Sequence, residues 1–370
     1  MALIPRHLSL PILLAYALVT FGGCDAPTAS AFESYSTQIS NLWDRENLVA
    51  WEAGPSDDTK RRTPEERATI LQRLGFRHYA HIEASQDSED FHLNVDMEIE
   101  ALQRHGVELL AWYFWVGDEP ERDEMVQKTL ASFARHGVHP QIWISQSFAG
   151  YSATAESSAR SLPKGMTMPD GTAELDKLPE PKKALIRRAR DQPYLQDLPR
   201  TREEQTHRVW QEALRVKKMV DLVRPYGCEV KIYNHNGWFG LINNELAIIH
   251  RLEQVGVTNV GIVYNFSHAR DTLHDDRQGF RQSWAKMMPY VAAVNLSGVR
   301  WEGEILFPSQ GDGELEMMRI IQGSHWQGPI GVYAGDREDD METTLKRLLS
   351  SVEFLAGELG KSAIGGGPHP

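Results

Sequence analysis

From Leu48 onward, short apolar runs of strand character alternate with segments whose apolar residues recur at helical spacing. The first run, "LVAWEAG", leads to a helix with a well-marked start: Thr63 is placed to cap it, Pro64 takes its first position, and Glu66 completes a capping box. "FRHYAHIEA" is followed by "VDMEIEALQRHG", and "VELLAWYFWVG" by "EPERDEMVQKTLASFARHG", where Gly137 is placed as a C-cap. A fourth run, "HPQIWISQS", precedes a break in the pattern. The alternation resumes with the long helix "EEQTHRVWQEALRVKKMVDLVRPYG" and the fifth run, "CEVKIYNHNG". Three more pairs follow, with strands "NVGIVYNFSH", "VAAVNLSGV" and "GPIGVYAGD", and the helix "METTLKRLLSSVEFLAGELG" closes the series.

Eight apolar strands, each followed by a helix, predict a parallel sheet covered by helices. Eight such units suffice to close a (β/α)₈ TIM barrel, an α/β fold of one domain. An open doubly wound sheet would be favoured by a glycine-rich phosphate turn after the first strand, and the chain has none. The barrel is expected over residues 45–360, with 361–370 as a tail. The break, residues 148–202, is proline-rich and follows strand four on the face where barrel chemistry occurs, so it reads as a lid-like insertion.

Residues 1–24 change the picture of where the chain works. A short apolar run after Arg6 and His7 ends in Gly22, Gly23 and Cys24, the pattern of an export signal with a lipobox. The expectation is an exported protein, periplasmic or held at a bacterial membrane through an N-terminal lipid anchor, with 25–44 as a tether. Plain secretion without lipidation remains the alternative. Lipidation of Cys24 would leave Cys228 alone, so no disulfide is required. A formal net charge of -12 argues against nucleic acid, whose phosphates bind mainly through Lys and Arg. Oligomeric state is not legible.

In a barrel the C-terminal strand ends converge on one pocket. Here they carry Glu52, Glu83, Trp112 to Trp115, Gln146, Tyr233 to Asn236, Asn265, His268, Asn295, Ser297 and Tyr333, a set rich in aromatic and hydrogen-bonding groups. The unit order, together with "YNHNGWFG", "GIVYNFSH", "VNLSG" and "PSQGDGEL", resembles the sugar phosphate isomerase/epimerase family of xylose-isomerase-like TIM barrels over roughly residues 45 to 355. That resemblance implies a divalent metal (Mn, Mg or Zn) held by Glu, Asp, His and Glu on strands five to eight. Matched position by position, those ligands fall on Tyr233, Asn265, Asn295 and Tyr333. A neutral set offers no charge to offset the desolvation of a hard cation, so no metal and no other cofactor is expected. Asn and Tyr instead suit hydrogen bonds to sugar hydroxyls, with aromatic faces covering the apolar side of a ring.

The expected partner is therefore a small-molecule carbohydrate. Proton transfer falls to Glu83, His235 and His268, and substrate contact to Tyr233, Asn234, Trp238, Asn265, Asn295, Gln310 and Trp112. The two histidines also admit plain substrate contact or a metal. Trp112 alternates with its neighbours between lumen and helix layer, and Asp312 has helix capping as its simpler role. "HIE" at His81 to Glu83 has no partner cysteine pair and is not a zinc-deaminase motif. The sequons at Asn265 and Asn295 fall on inner strands, where glycosylation has no access. Three functions stand open: an isomerase or epimerase acting without the family metal, a non-catalytic carbohydrate-binding pseudoenzyme, or a hydrolase or lyase of modified sugars.

Overall fold

The computed structural model describes residues 42–51, 62–82, 91–146, 201–235, 238–268, 277–299, 305–311, 313–332 and 340–364. Eight parallel strands close into a barrel: β1 (Leu48–Trp51), β2 (His78–Ile82), β3 (Glu108–Val116), β4 (Gln141–Gln146), β5 (Glu229–Tyr233), β6 (Gly261–Asn265), β7 (Val291–Leu296) and, after a two-stranded hairpin of β8 (Gly298–Val299) and β9 (Ile305–Leu306), β10 (Ile330–Val332). The seam is closed by β1 against β10, with Ala50 opposite Val332. The outer layer holds α1 (Pro64–Arg73), α2 (Phe91–Arg104), α3 (Glu124–His136), α4 (Arg202–Val223), α5 (Ile242–Glu253), α6 (Arg277–Met287), α7 (Glu314–Gly323) and α8 (Met341–Ile364). The TIM barrel read from the alternation is the observed fold.

Local signals explain the element ends. The amide of Glu66 donates to the Thr63 hydroxyl and the amide of Thr63 to the Glu66 carboxylate, the capping box expected at the start of α1. Asp123 caps α3, and Gly137 ends it at φ 63°, a conformation in which a side chain would be strained. Two successive helix seams carry the same latch. Glu65 of α1 binds Arg104 and His105 beyond α2, and Asp96 of α2 binds Arg135 and His136 of α3, at sequence separations of 39 and 40 residues in both cases. The side-chain amides of Gln72 and Gln103 then donate to the carbonyls of His105 and His136, each across 33 residues. The first three units therefore stack at constant pitch.

Strand parity sets the two cores. Leu48, Tyr79, Trp112, Phe114, Ile142, Ile232, Tyr264, Val294 and Val332 pack into the layer between strands and helices. The opposite parity fills the barrel. Trp51 on β1 touches Tyr113 on β3, Trp143 on β4 and Tyr233 on β5, with ring centroids 5.0 to 5.8 Å apart, contacts that only the lumen allows. A deeper layer holds Lys231, buried and paired with Glu229 at 2.8 Å.

Some boundaries differ from expectation. The tether does not reach residue 44: Leu42 and Trp43 are buried, and the Trp43 indole N–H donates to Gln322, so packing begins there. Thr201 caps α4, which starts at Arg202, the last residue assigned to the insertion. α8 runs to Ile364, past the expected start of the tail. Strand seven is shorter than the run "VAAVNLSGV", because Gly298–Val299 turns away to pair antiparallel with β9. The export segment, residues 148–200 of the insertion and residues 365–370 lie outside the described residues. Among the described residues, no helix is long and apolar enough to cross a membrane.

Candidate functional site

The site is built on the ends of β3, β5, β6 and β7. The lumen below it is closed by rings: Trp51, Trp143 and Tyr233 are at most 3% exposed. Above them the parity of β3 places Trp115, which is 37% exposed and meets the edge of the His235 ring at 4.6 Å. His268 completes the group, its ring 4.4 Å from that of His235 and 6.0 Å from that of Tyr233. An aromatic platform and an imidazole pair therefore share the mouth.

The backbone that carries His235 is fixed by its neighbours in "YNHNGWFG". A Cβ on Gly240 would lie 1.4 Å from the His235 carbonyl oxygen, so only glycine lets the chain fold back over this strand end. The Asn234 carboxamide replaces a rung of the ladder. It accepts the Asn265 amide at 2.6 Å and donates to the Asn265 carbonyl at 3.2 Å, tying β5 to β6 past the last regular pair. Asn265 in turn orders the turn Phe266–His268. Its side-chain carbonyl oxygen accepts from the amide and hydroxyl of Ser267 at 2.9 and 2.8 Å, while its side-chain amide donates to the Tyr233 hydroxyl. That hydroxyl also accepts the Trp51 indole N–H at 3.2 Å.

Other polar groups at this end have nothing to bond. Asn295 and Ser297 are fully buried, and neither end of the Asn295 carboxamide nor the Ser297 hydroxyl has a hydrogen-bond partner. Asn295 faces Gly331 across the β7–β10 register, and a Cβ there would lie 1.8 Å from its carbonyl oxygen. Gly331 thus makes the space this side chain occupies. The Nδ1 atom of His235 is likewise buried without a partner, and burial pushes its imidazole down to about 4, leaving it neutral at neutral pH. Buried groups of this kind carry a desolvation cost that a bound ligand's hydroxyls would remove.

His235 and His268 are thus brought together with Tyr233 and with Asn265, which holds Tyr233 from behind. Four expectations are corrected. Trp112 lies on the helix-facing side of β3, stacked on His81 at 4.2 Å and edge-on to Phe133 of α3, because it shares the parity of Phe114. Trp238 packs under α4, donating its indole N–H to Gln205 at 2.7 Å beneath the Arg208 guanidinium. Asn234 spends both ends of its amide on the sheet rather than on a ligand. Gln310 faces an outer groove beside α8. Glu52, Glu83, Asn236, Asp312 and Tyr333 lie outside the described residues. Trp115 and Ser297 were among the strand-end residues but were given no substrate contact; strand parity, two residues on from Tyr113 and from Asn295, is the signal that singles them out.

A divalent cation of the kind the family resemblance implies needs anionic oxygen donors. Tyr233, Asn265 and Asn295 are neutral, and the oxygens of the first two already accept hydrogen bonds. Among the described residues no three His, Cys, Asp or Glu side chains gather in one place. These residues do not fit such a cation.

No protein-family model matches the chain, and no curated protein matches it. Solved structures do. A xylose isomerase domain-containing protein from Salmonella typhimurium superposes with a TM-score of 0.54 at 12% identity, covering 85% of this chain and 98% of its own. An L-ribulose 3-epimerase gives 0.54 at 11%, covering 87% and 99%. The IolI protein with a bound zinc atom gives 0.53 at 12%, covering 84% and 98%. At such identity the likeness establishes architecture: this chain has the fold of the xylose isomerase-like TIM barrels.

Proposed function

We propose that the mouth of this barrel binds a neutral carbohydrate without a divalent cation, and that the protein is a sugar isomerase- or epimerase-like member of the cell envelope. The observation that carries the reading is the set of buried, unpartnered hydrogen-bonding groups at Asn295, Ser297 and His235, set at the same strand ends as the half-open face of Trp115. Sugars present that combination: hydroxyls to satisfy the polar groups and a C–H face to lie on an indole. The structural neighbours include an L-ribulose 3-epimerase, which agrees with a sugar without specifying one. The export signal read from residues 1–24 supports a location outside the cytoplasm.

Chemically, the imidazole at His235 is unprotonated and can accept a proton from carbon beside a carbonyl, as a base weakened by its burial, with His268 next to it as the second proton carrier. The Asn295 amide and the Ser297 hydroxyl would donate to the oxygen on which charge develops. Neutral donors stabilise that charge less than a metal does, so slow turnover is expected. Saturation-transfer NMR with aldoses, ketoses and methyl glycosides, run in D₂O, tests both levels. Binding with deuterium entering a carbon-bound position supports the isomerase-like reading. Binding without exchange assigns the non-catalytic alternative. No binding by any sugar overturns both.

A further inference from the structure

Glu314, the first residue of α7, is 2% exposed and spends both carboxyl oxygens on backbone amides of other segments. One oxygen accepts the Val299 amide of β8 at 3.1 Å, and the other accepts the Gly311 amide of the loop before the helix at 2.9 Å. The amide of Gly313 donates in turn to the Val299 carbonyl at 3.1 Å, so Val299 is held by both of its backbone polar groups from the start of α7. A Cβ on Gly311 would lie 2.2 Å from the Glu314 carboxylate and 2.4 Å from the Val299 backbone, so only glycine leaves room for the contact. A carboxyl group this deep is costly without such partners. Both bonds reach out to the β8–β9 hairpin and its return loop, while α7 itself, with Gly313 at its N-cap, has no side-chain cap.

Ser297 sits at the bend between the barrel and this hairpin. Before it, Leu296 pairs with Val332 in the barrel ladder. After it, Gly298 pairs with Leu306, and a Cβ on Gly298 would lie 2.2 Å from the Phe307 carbonyl oxygen, which fixes where the chain leaves strand seven. The Ser297 hydroxyl is buried and bonds nothing, so its direction is set by the backbone on either side. The barrel fixes one side, and Glu314 fixes the other through Val299. We propose that Glu314 is a positioning residue for the sugar at the mouth: it touches no sugar itself, and it holds the bend that aims the Ser297 hydroxyl. The proposal rests on the carbohydrate reading given above and adds to it the group that sets one of its contacts.

The test is a double-mutant cycle on the full chain, read by calorimetric titration with glucose, fructose and methyl glucoside. Glu314→Gln puts an amide nitrogen where one acceptor oxygen stood and should weaken sugar binding about tenfold, as should Ser297→Ala, the loss typical of one hydrogen bond. The double variant should bind no more weakly than Ser297→Ala alone, because the carboxyl group acts through that hydroxyl. Glu314→Gln combined with Trp115→Ala should instead multiply the two losses, since the indole is carried by β3; a general loosening of the fold would multiply in both cycles. Where Glu314→Gln does not fold, Glu314→Asp, which keeps both acceptor oxygens on a shorter stem, runs the same cycles. Affinity unchanged by the folded Glu314 variant, or losses that multiply with Ser297→Ala, would overturn the role given to Glu314 and leave the mouth reading standing. No saturable binding of any of the three sugars by the unaltered protein would overturn both.

Discussion

The rings of His235 and His268 lie 4.4 Å apart, tilted by 46°, although they are carried by two different strand ends. Each is held by an asparagine side chain: Asn234 locks the strand that leads to one, and Asn265 caps the turn that presents the other. The pair is preorganised by backbone contacts made with side-chain amides.

His235 should titrate near 4 rather than near 6.5, because burial disfavours its charged form. A depressed folded value means that the stability it contributes is present above 6.5 and is lost as the pH falls from there through 4. NMR of the imidazole Hε1 protons should show the signal that disappears in His235→Gln titrating near 4, apart from the still lower His81, and His235→Gln should flatten the acid limb of a denaturation profile. A midpoint near 6.5 would refute the buried neutral base.

The two asparagines should separate by phenotype. Asn234→Ala leaves the Asn265 amide and carbonyl buried without partners and should cost about 2–4 kcal/mol in urea denaturation. Asn295→Ala removes a side chain that bonds nothing, so stability should change by less than about 1 kcal/mol while sugar affinity falls. Equal destabilisation by both changes would mean that Asn295 is structural.

Gly240→Ala should be severe. Its Cβ would enter the His235 carbonyl, and the required shift of backbone should cost about 3 kcal/mol or more and displace the imidazole. Thermal unfolding and ligand titration should both report the loss.

Glu245 sits on the first turn of α5, fully buried, with neither carboxylate oxygen bonded, and desolvation holds its pKa well above 4.5. For an acid raised in the fold, stability is full below 4.5 and falls as the pH rises toward the folded value. Glu245→Gln should therefore stabilise the protein at pH 8 and change little at pH 4.5, read by urea midpoints. The opposite order would show that the carboxylate is charged and paired.

Much of this was legible in the sequence because barrel periodicity is a local signal: Thr63, Pro64 and Glu66 mark a helix start wherever they occur together, and Gly137 marks an end. The strand-end histidines were found for the same reason, since the fold maps strand ends onto one face. What failed was parity and hydrogen-bond direction. Trp112 and Trp115 are three residues apart and equally aromatic, and only the register of β3 against β4 says which one enters the lumen. Asn234 and Asn295 are chemically identical, and the difference between a sheet tie and an open amide lies in contacts across 31 residues of chain for the first and in Gly331 for the second. Trp238 was given a substrate contact because its partners, Gln205 and Arg208, come from a helix that precedes it and are not legible from its own strand end.

The central claim, a carbohydrate held at the mouth without a divalent cation, is tested most directly by titrating neutral sugars into the EDTA-treated protein while following tryptophan fluorescence. Saturable quenching that is unchanged by EDTA and is lost in both Trp115→Ala and Asn295→Ala is the predicted result. Binding that appears only when Mn²⁺, Mg²⁺ or Zn²⁺ is restored, and that is lost in His235→Ala or His268→Ala, would contradict it.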